Sequence, residues 1–585
     1  MFLALAGLMA YQYFRPKQDT QPVTQSQQAQ QSTQQAVDGQ SPDTAKPATV
    51  QAPAAVPAVS AAAETETIVE NEKYKLVFTN KGAQVKHWIL KKYTDTAGKP
   101  LDMVQPQVAA RFGLPLSLFT YENELTDQLN KALYQASATG PVLAPASVTF
   151  HYATGALNVV KTFNFDASYV VGVDVSVTRN GTPVRALVTW PAGLGDMEEF
   201  LPSSLTRSPV RTTSQFSWSI DGKEDSMASA KVSGNATLDQ PYEFAGISDL
   251  YFAAVFLPDV PSRATVVTLH HTLDLPSDLA DPNSQKKPED VIGLAIGDQS
   301  GATRVRLYAG PKELDVLNSV RAIGPDGKPT GQSLQPLIQY GWWTIIAKPL
   351  YLALRYLREM LGPGAYNWGW AIIIVTVIFN LVMLPTRFMM MKSSLKMMRI
   401  QPKVEALKKR YAHLKVNDPK RAEMNAEMMQ LYKTEGVNMY GGCLPLLLQM
   451  PLFFAYYRVL LNAVELRQAH WFLLTDLSSP DPLHVLPILI ILSMFLVQFI
   501  TPSPGMDPTQ RRMMAIMMPV IMGFTLWHFA SGLALYWVTG NLINLGIQVG
   551  INQSKIGKEM HEIAARRAAK KGGATNTPKV IQGRR

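Results

Sequence analysis

The stretch Trp368–Pro385, WGWAIIIVTVIFNLVMLP, decides how the rest of the chain is read. It carries no charge and only two polar side chains of consequence, Thr376 and Asn380. At ~1.5 Å rise per residue its length matches the ~30 Å hydrocarbon core of a bilayer. A tryptophan pair opens it, as an interfacial anchor does, and Arg387 and Lys392 follow it. The stretch predicts a membrane-spanning helix that separates a polar, β-patterned region from a mostly apolar, helical one.

Upstream, residues 1–14 are apolar but short, and Arg15-Pro16-Lys17 follows without a small-residue cleavage site. They predict an uncleaved N-terminal anchor. Residues 15–67 are mostly Gln, Ala, Pro, Thr and Ser without periodicity, a composition that buries too little to fold, and read as a disordered linker. From Ile68 the pattern alternates. Tyr169–Thr178, YVVGVDVSVT, is the plainest case; Val148–Tyr152, Val159–Phe165, Phe216–Ile220, Arg263–Leu269 and Arg304–Tyr308 resemble it. Asn180-Gly181, Asp221-Gly222 and Asp326-Gly327 are turn signals. Residues 68–333 thus predict an all-β sandwich. Residues 334–366 hold an amphipathic segment, IQYGWWTIIAKPLYLALRYLREML, suited to a membrane interface and kinked at Pro349, and Gly362-Pro363-Gly364 turns the chain into the Trp368 helix.

Downstream, residues 367–551 predict five spans: Trp368–Pro385, Cys443–Val464, Val485–Thr501, Met513–Phe529 and Leu533–Ile551. Between the first two, residues 387–440 read as a helical hairpin turning at Asn417-Asp418-Pro419. Thr386–Tyr440 carries twelve Lys/Arg against five Asp/Glu, and the tail 552–585 carries nine against two. With the anchor this makes six spans, both termini inside and the β region outside. Arg15 and Lys17 run mildly against that orientation. The methionine stripe of the hairpin suits an adaptable partner surface, although its spacing fits packing of one helix on the other better.

The net charge of +10 sits mainly in the hairpin and the tail. Inside short loops this is what topology alone demands, while anionic lipid or ribosomal RNA are the partners such a surface could meet. The single cysteine, Cys443, rules out an internal disulfide or a cysteine zinc set, and the nine histidines form no ligand cluster. No phosphate-binding loop or nucleophile elbow is present. The residues therefore support neither an enzyme nor a metal or other cofactor.

The polar residues inside the spans are Thr376, Asn380, Gln449, Arg458, Asn462, Ser493, Gln498, Thr525, His528, Thr539, Asn541 and Asn544. Such groups face protein or water, because hydrocarbon offers them no partner. Hydrogen bonding between helices, worth roughly 0.6 kcal/mol per pair, is the plain reading, and a wet cavity is the sharper one.

NWGWAIIIVT (Asn367–Thr376), IQPKVEALKKRY (Ile400–Tyr411), GGCLPLLLQMPLFFAYYRVL (Gly441–Leu460), VELRQA (Val464–Ala469), DPLHVLPIL (Asp481–Leu489) and PVIMGFTLWHFASGLALYWVTGNL (Pro519–Leu542) together resemble the YidC membrane protein insertase family. YAGPK (Tyr308–Lys312) fits too. The form resembled is the Gram-negative one, with an N-terminal anchor and a large periplasmic β domain. The resemblance implies an insertase and chaperone of the bacterial inner membrane, multi-pass, with the β domain periplasmic and the C-terminus cytoplasmic. It implies action on nascent membrane proteins, alone or beside the Sec translocon, delivered by the ribosome or the signal recognition particle pathway. It also implies a polar intramembrane groove lined by Thr376, Asn380, Gln449, Met450, Phe453, Tyr536 and Trp537, the last standing where an aromatic residue, often tyrosine, is usual. A cytoplasmic hairpin with Lys396, Arg399, Lys403, Lys408, Lys409 and Arg410 completes it. Family members usually place an arginine where this chain has Asn380, so the groove is expected to rely on hydration and aromatic contact, with Arg458 and Arg387 as possible substitutes for the charge.

A transporter or channel with a periplasmic binding domain is the rival reading, but no repeat relates the spans. A scaffold that only tethers the β domain leaves the basic hairpin and the intramembrane polar groups without a role.

Overall fold

The computed structural model describes residues 57–573, apart from 96–97, 196–199, 202–209, 212–213, 277–284, 325, 414–417, 438–443 and 502–507. The expected anchor and most of the expected linker lie outside the described residues, but the end of that linker belongs to the β region: Val59 bridges to Ala153, and Glu66 and Thr67 begin the strand Glu66–Glu70.

The β region is built of three main sheets. The largest runs Lys223–Ala228, Gln215–Ile220, Tyr242–Ser248, Phe252–Pro258, Thr303–Pro311, Val170–Arg179, Leu157–Phe165, Ala146–Thr154, Gln135–Ala136. A five-stranded sheet (Pro100–Asp102, Gln84–Thr94, Tyr74–Thr79, Glu66–Glu70, Gly140–Leu143) packs on it. Their shared core holds Phe78 against Phe150 and Phe163, with ring centroids 5.9 and 5.0 Å apart. Trp88 meets Trp190 at 5.8 Å, which ties in the third sheet through Leu187–Trp190. Strand residues 159, 163 and 165 and 171, 173, 175 and 177 all point inward, the period-two pattern that the sequence shows. Asn180-Gly181 and Asp221-Gly222 adopt positive φ at both residues, which a tight hairpin requires.

One residue breaks that pattern. Lys161 shares the inward face with Val159 and Phe163 and is fully buried. Its ammonium donates to the carbonyls of Gly82 (2.9 Å), Ala83 (2.8 Å) and Leu116 (2.6 Å), tying strand Leu157–Phe165 to two loops.

Twelve helices follow one another among the described residues. Three belong to the β region: α1 (Pro106–Phe112), α2 (Asn123–Lys131) and α3 (Leu314–Ser319). The rest are α4 (Thr344–Leu361), α5 (Asn367–Val382), α6 (Leu384–Arg410), α7 (Lys420–Thr434), α8 (Leu444–Asn462), α9 (Val485–Ile500), α10 (Pro508–Thr525), α11 (Ser531–Gln553) and α12 (Lys555–Gly573). Helix α4 runs through Pro349 without a break, contrary to the expected kink. Proline there removes only the bond to the carbonyl of Ile345, in a largely exposed first turn that water can satisfy.

The Trp368 helix also departs from expectation. It ends at Val382 rather than Pro385, and α6 restarts at Leu384 with a 47° bend between the two. Pro385 has no N–H for the carbonyl of Leu381, but is well placed in the first turn of a new helix. Among the described residues no single helix is long and apolar enough to cross a membrane. The bent pair α5–α6 meets that test by length and composition, and α9 is a shorter apolar helix. Helix α9 has only sixteen residues, and Thr539, Asn541, Asn544 and Gln548 dilute α11.

The β region is fastened to the helices at one corner. Arg467, just after α8, donates to the carbonyl of Thr94 at 2.8 Å and lies over the rings of Tyr251 and Phe252. Arg355 of α4 forms a two-pronged ion pair with Asp315 at 2.9 and 2.5 Å. Tyr351 donates to Glu465, whose other carboxylate oxygen is shut away from solvent. Burial raises the carboxyl of Glu465, against the pull of that hydrogen bond, and neighbouring Glu313 adds to the rise. Glu313 itself accepts from Tyr93 and from Lys92 (2.5 Å).

Candidate functional site

Thr376 and Asn380 lie four residues apart on α5 and so share a face. Both are buried, at 0% and 5% exposure. Each turns a donor onto its own helix: Thr376 Oγ1 to the carbonyl of Ile372 (2.6 Å), and Asn380 Nδ2 to that of Thr376 (2.8 Å). The amide oxygen of Asn380 is left facing away from the helix, and Arg387 Nη2 donates to it at 3.5 Å. Long side chains lean toward the helix N-terminus, so a residue in the first turn of α6 can reach back across the break. The guanidinium Nε is buried without a hydrogen-bond partner among the described residues.

Two further helices close on this face. On α8, Tyr456 donates to the carbonyl of Ile372 at 3.5 Å, one turn before Thr376, and stacks on Tyr536 of α11, ring centroids 4.3 Å apart. Tyr536 lies near Gln449 and Arg387. Gly540 of α11 faces this pair: a Cβ there would lie at ordinary contact distance, 3.9 Å from Thr376 Cγ2 and 4.0 Å from Asn380 Nδ2. Phe453 meets Trp537 edge-on at 5.0 Å and Phe454 at 5.5 Å. Met450, half-buried, and Gln449, exposed, precede them on α8. The arrangement is a polar row (Gln449, Tyr536, Tyr456, Thr376, Asn380, Arg387) beside an aromatic edge (Phe453, Trp537). It can hydrate or hydrogen-bond a polar segment on one side and hold an apolar one on the other.

Not all the intramembrane polar residues join it. Arg458 is exposed, and Asn462 donates to its carbonyl at 2.7 Å. Thr525 caps its own helix at Ile521, and His528 is exposed. Asn541 donates to Ser493 at 3.0 Å, pinning α11 to α9. Tyr456 was missed from sequence, although it stands seven residues after Gln449 and therefore on the same helical face.

The hairpin lysines and arginines are partly committed. Arg399 pairs with Glu559 of α12 at 2.5 Å, Lys403 with Glu435 at 2.5 Å and Arg410 with Glu427 at 3.5 Å. Lys396 donates to the carbonyl of Gly436 at 3.4 Å, while Lys408 and Lys409 are exposed. The methionine stripe divides. Met397 and Met428 pack α6 on α7, whereas Met391 and Met398 pack on Ile551 and Met560 of the following helices.

The periplasmic domain profile of YidC matches residues 66–353, and that of the 60Kd inner membrane protein matches residues 360–559. A membrane protein insertase YidC of Geobacter sp. (strain M21) is 32% identical over 516 residues, covering 84% of this chain and 86% of its own length. This chain belongs to the YidC family of membrane protein insertases. The YidC of Geobacter metallireducens is likewise 32% identical, over 89% of this chain and 92% of its own. A crystal structure of an active YidC insertase with the first transmembrane domain resolved covers 85% of this chain and 95% of its own, at 18% identity and a TM-score of 0.34. YidC membership brings a β-rich periplasmic domain followed by an inner-membrane helical region, and gives the transporter reading no support.

Proposed function

We propose that this chain inserts membrane proteins by receiving a nascent segment at the face made by Thr376, Asn380, Gln449 and Tyr536. Arg387 supplies the positive charge there, and the apolar part of the substrate passes into lipid by way of Met450, Phe453 and Trp537. The observation that carries this reading is the hydrogen bond from Arg387 to Asn380, which sets a charge beside buried polar groups of a helix otherwise apolar. A charge at the centre of a bilayer costs about 2.5–3.5 kcal/mol on insertion scales, so a polar face part-way across lowers the barrier for a hydrophilic flank. Partition of the apolar segment and the membrane potential drive the step, with no nucleotide required.

In this reading six spans, the first at residues 1–14, cross the inner membrane, with the residues between that span and the β region a tether, the β region periplasmic and the tail 552–585 cytoplasmic. Helix α4, within 334–366, lies in the outer interface; Ile345, Leu352, Tyr356, Met360 and Leu361 are its exposed large apolar residues, and Trp342 is exposed just before it. The hairpin 387–440 and the tail meet the ribosome, the signal recognition particle pathway, the Sec translocon or anionic lipids, with Lys408 and Lys409 most accessible to a partner.

The test is insertion of a short single-span substrate into proteoliposomes, read by protease protection. Protected fragments that appear only with the reconstituted chain, and fall when Tyr536→Ala is substituted, support the reading. Protection at the level of empty vesicles contradicts it.

A further inference from the structure

The loop after α8 contains a turn that its residues do not favour. Trp471 and Leu474 exchange both backbone hydrogen bonds, at 2.8 and 2.9 Å, so Phe472 and Leu473 are the two central residues of a hairpin turn. Phe472 has φ +49°, in the left-handed region where glycine is the ordinary occupant and a bulky side chain is an outlier. Both side chains nonetheless project outward, Phe472 at 66% and Leu473 at 64% exposure. No charged residue lies between Trp471 and Thr475.

The turn is held rigidly. Gly369 packs so closely on Trp471 that a Cβ there would come within 2.3 Å of its ring. Phe472 stands 5.3 Å from Tyr366 and 6.4 Å from Trp370, centroid to centroid. Trp370 is in the first turn of α5 and partly exposed. Val377 and Leu381, seven and eleven residues on, continue the same exposed apolar stripe down the helix. The turn is therefore the end of that stripe, placed beside the outer end of a helix pair that can cross a membrane.

We propose that Phe472 and Leu473 insert into the outer leaflet, at the boundary between headgroups and acyl chains. The proposal rests on the reading that α5 spans a bilayer. The continuity of the stripe names lipid as the occupant: any surface that covers Val377 and Leu381 along the length of α5 also meets Phe472. Aromatic side chains favour that depth, and an apolar tip without charges loses nothing by leaving water there. The loop is thus a wedge rather than a water-exposed connection.

The experiment labels Leu473→Cys with an environment-sensitive fluorophore in the full chain, in a Cys443→Ser background, reconstituted in phosphatidylethanolamine–phosphatidylglycerol vesicles. Labels at Ile378→Cys and at Asp221→Cys in the β region serve as references. The expected result is emission at position 473 cut about twofold by lipids brominated near the headgroup, less by lipids brominated near the chain end, and not by iodide. Phe472→Gly, which relaxes the turn and so should fold, is expected to return part of the label to water. Iodide quenching at 473, or shielding from both lipid bromine and iodide, would overturn the proposal. If Ile378 is also untouched by deep bromine, the failure lies with the membrane-spanning reading and not with the turn alone.

Discussion

Arg387 reaches back across the break between α5 and α6 to the amide oxygen of Asn380, Nη2 to Oδ1 at 3.5 Å. The two stand seven residues apart, about two helical turns, yet the long side chain brings a guanidinium to the buried face that Asn380 only makes polar. In the proposed insertion path, Arg387 is the charge beside position 380.

Removing that charge should reduce insertion of substrates with acidic flanks. Arg387→Gln is expected to slow their insertion about tenfold, a loss of ~1.4 kcal/mol, while substrates with neutral flanks change little. Asn380→Arg should give little gain, because Arg387 already provides the charge. A sharp rise in acidic-flank insertion by Asn380→Arg would show that the site lacks charge after all.

Lys161 should be indispensable to the β region. Lys161→Met leaves three backbone carbonyls without their donor in a sealed interior. Burial pulls this ammonium down to about 7, while accepting carbonyls at 2.6–2.9 Å favour the charged form. Chemical denaturation should show a loss of roughly 3–5 kcal/mol. A loss under about 0.5 kcal/mol would mean that water replaces the ammonium at no cost.

Glu224 predicts a pH dependence. Burial raises its carboxyl to about 7, opposed by a hydrogen bond from Gln339 and the charge of Lys312 and assisted by Asp225. In the unfolded chain it titrates near the usual ~4.3. Between those values the folded state holds the extra proton, so stability is greatest at the acid end and falls as pH rises through the window. Partial exposure limits the effect to about 1–2 kcal/mol between roughly pH 4.5 and 7. Thermal melts across that range should show the decline, and Glu224→Gln should flatten it. An unchanged slope in the variant assigns the dependence to another group.

The strands were legible because burial alternates along them: Val171, Val173, Val175 and Val177 mark the inward face in the sequence as plainly as in the sheet. Lys161 was not, since a lysine at an inward position reads as an edge or an error until three carbonyls are seen around it. The end of α5 was misjudged by three residues because apolar composition continues past Val382, while the break depends on which carbonyl Pro385 fails to serve. Thr376 and Asn380 could be paired by spacing alone. Their partners on α8 and α11 could not, because Tyr456, Tyr536 and Gly540 meet them only through helix packing. The split of the methionines between α7 and α12 was hidden for the same reason.

The central claim is that a nascent membrane segment occupies the face between α5 and α11. Site-specific photocrosslinking from positions 380 and 537 to ribosome-bound nascent chains of a short single-span protein tests it most directly. Crosslinks at both positions that appear only while the apolar segment is emerging, and weaken in Arg387→Gln for an acidic-flank substrate, are the predicted result. Absence of crosslinks at every chain length, with the substrate still inserted, would place the path elsewhere and contradict the claim.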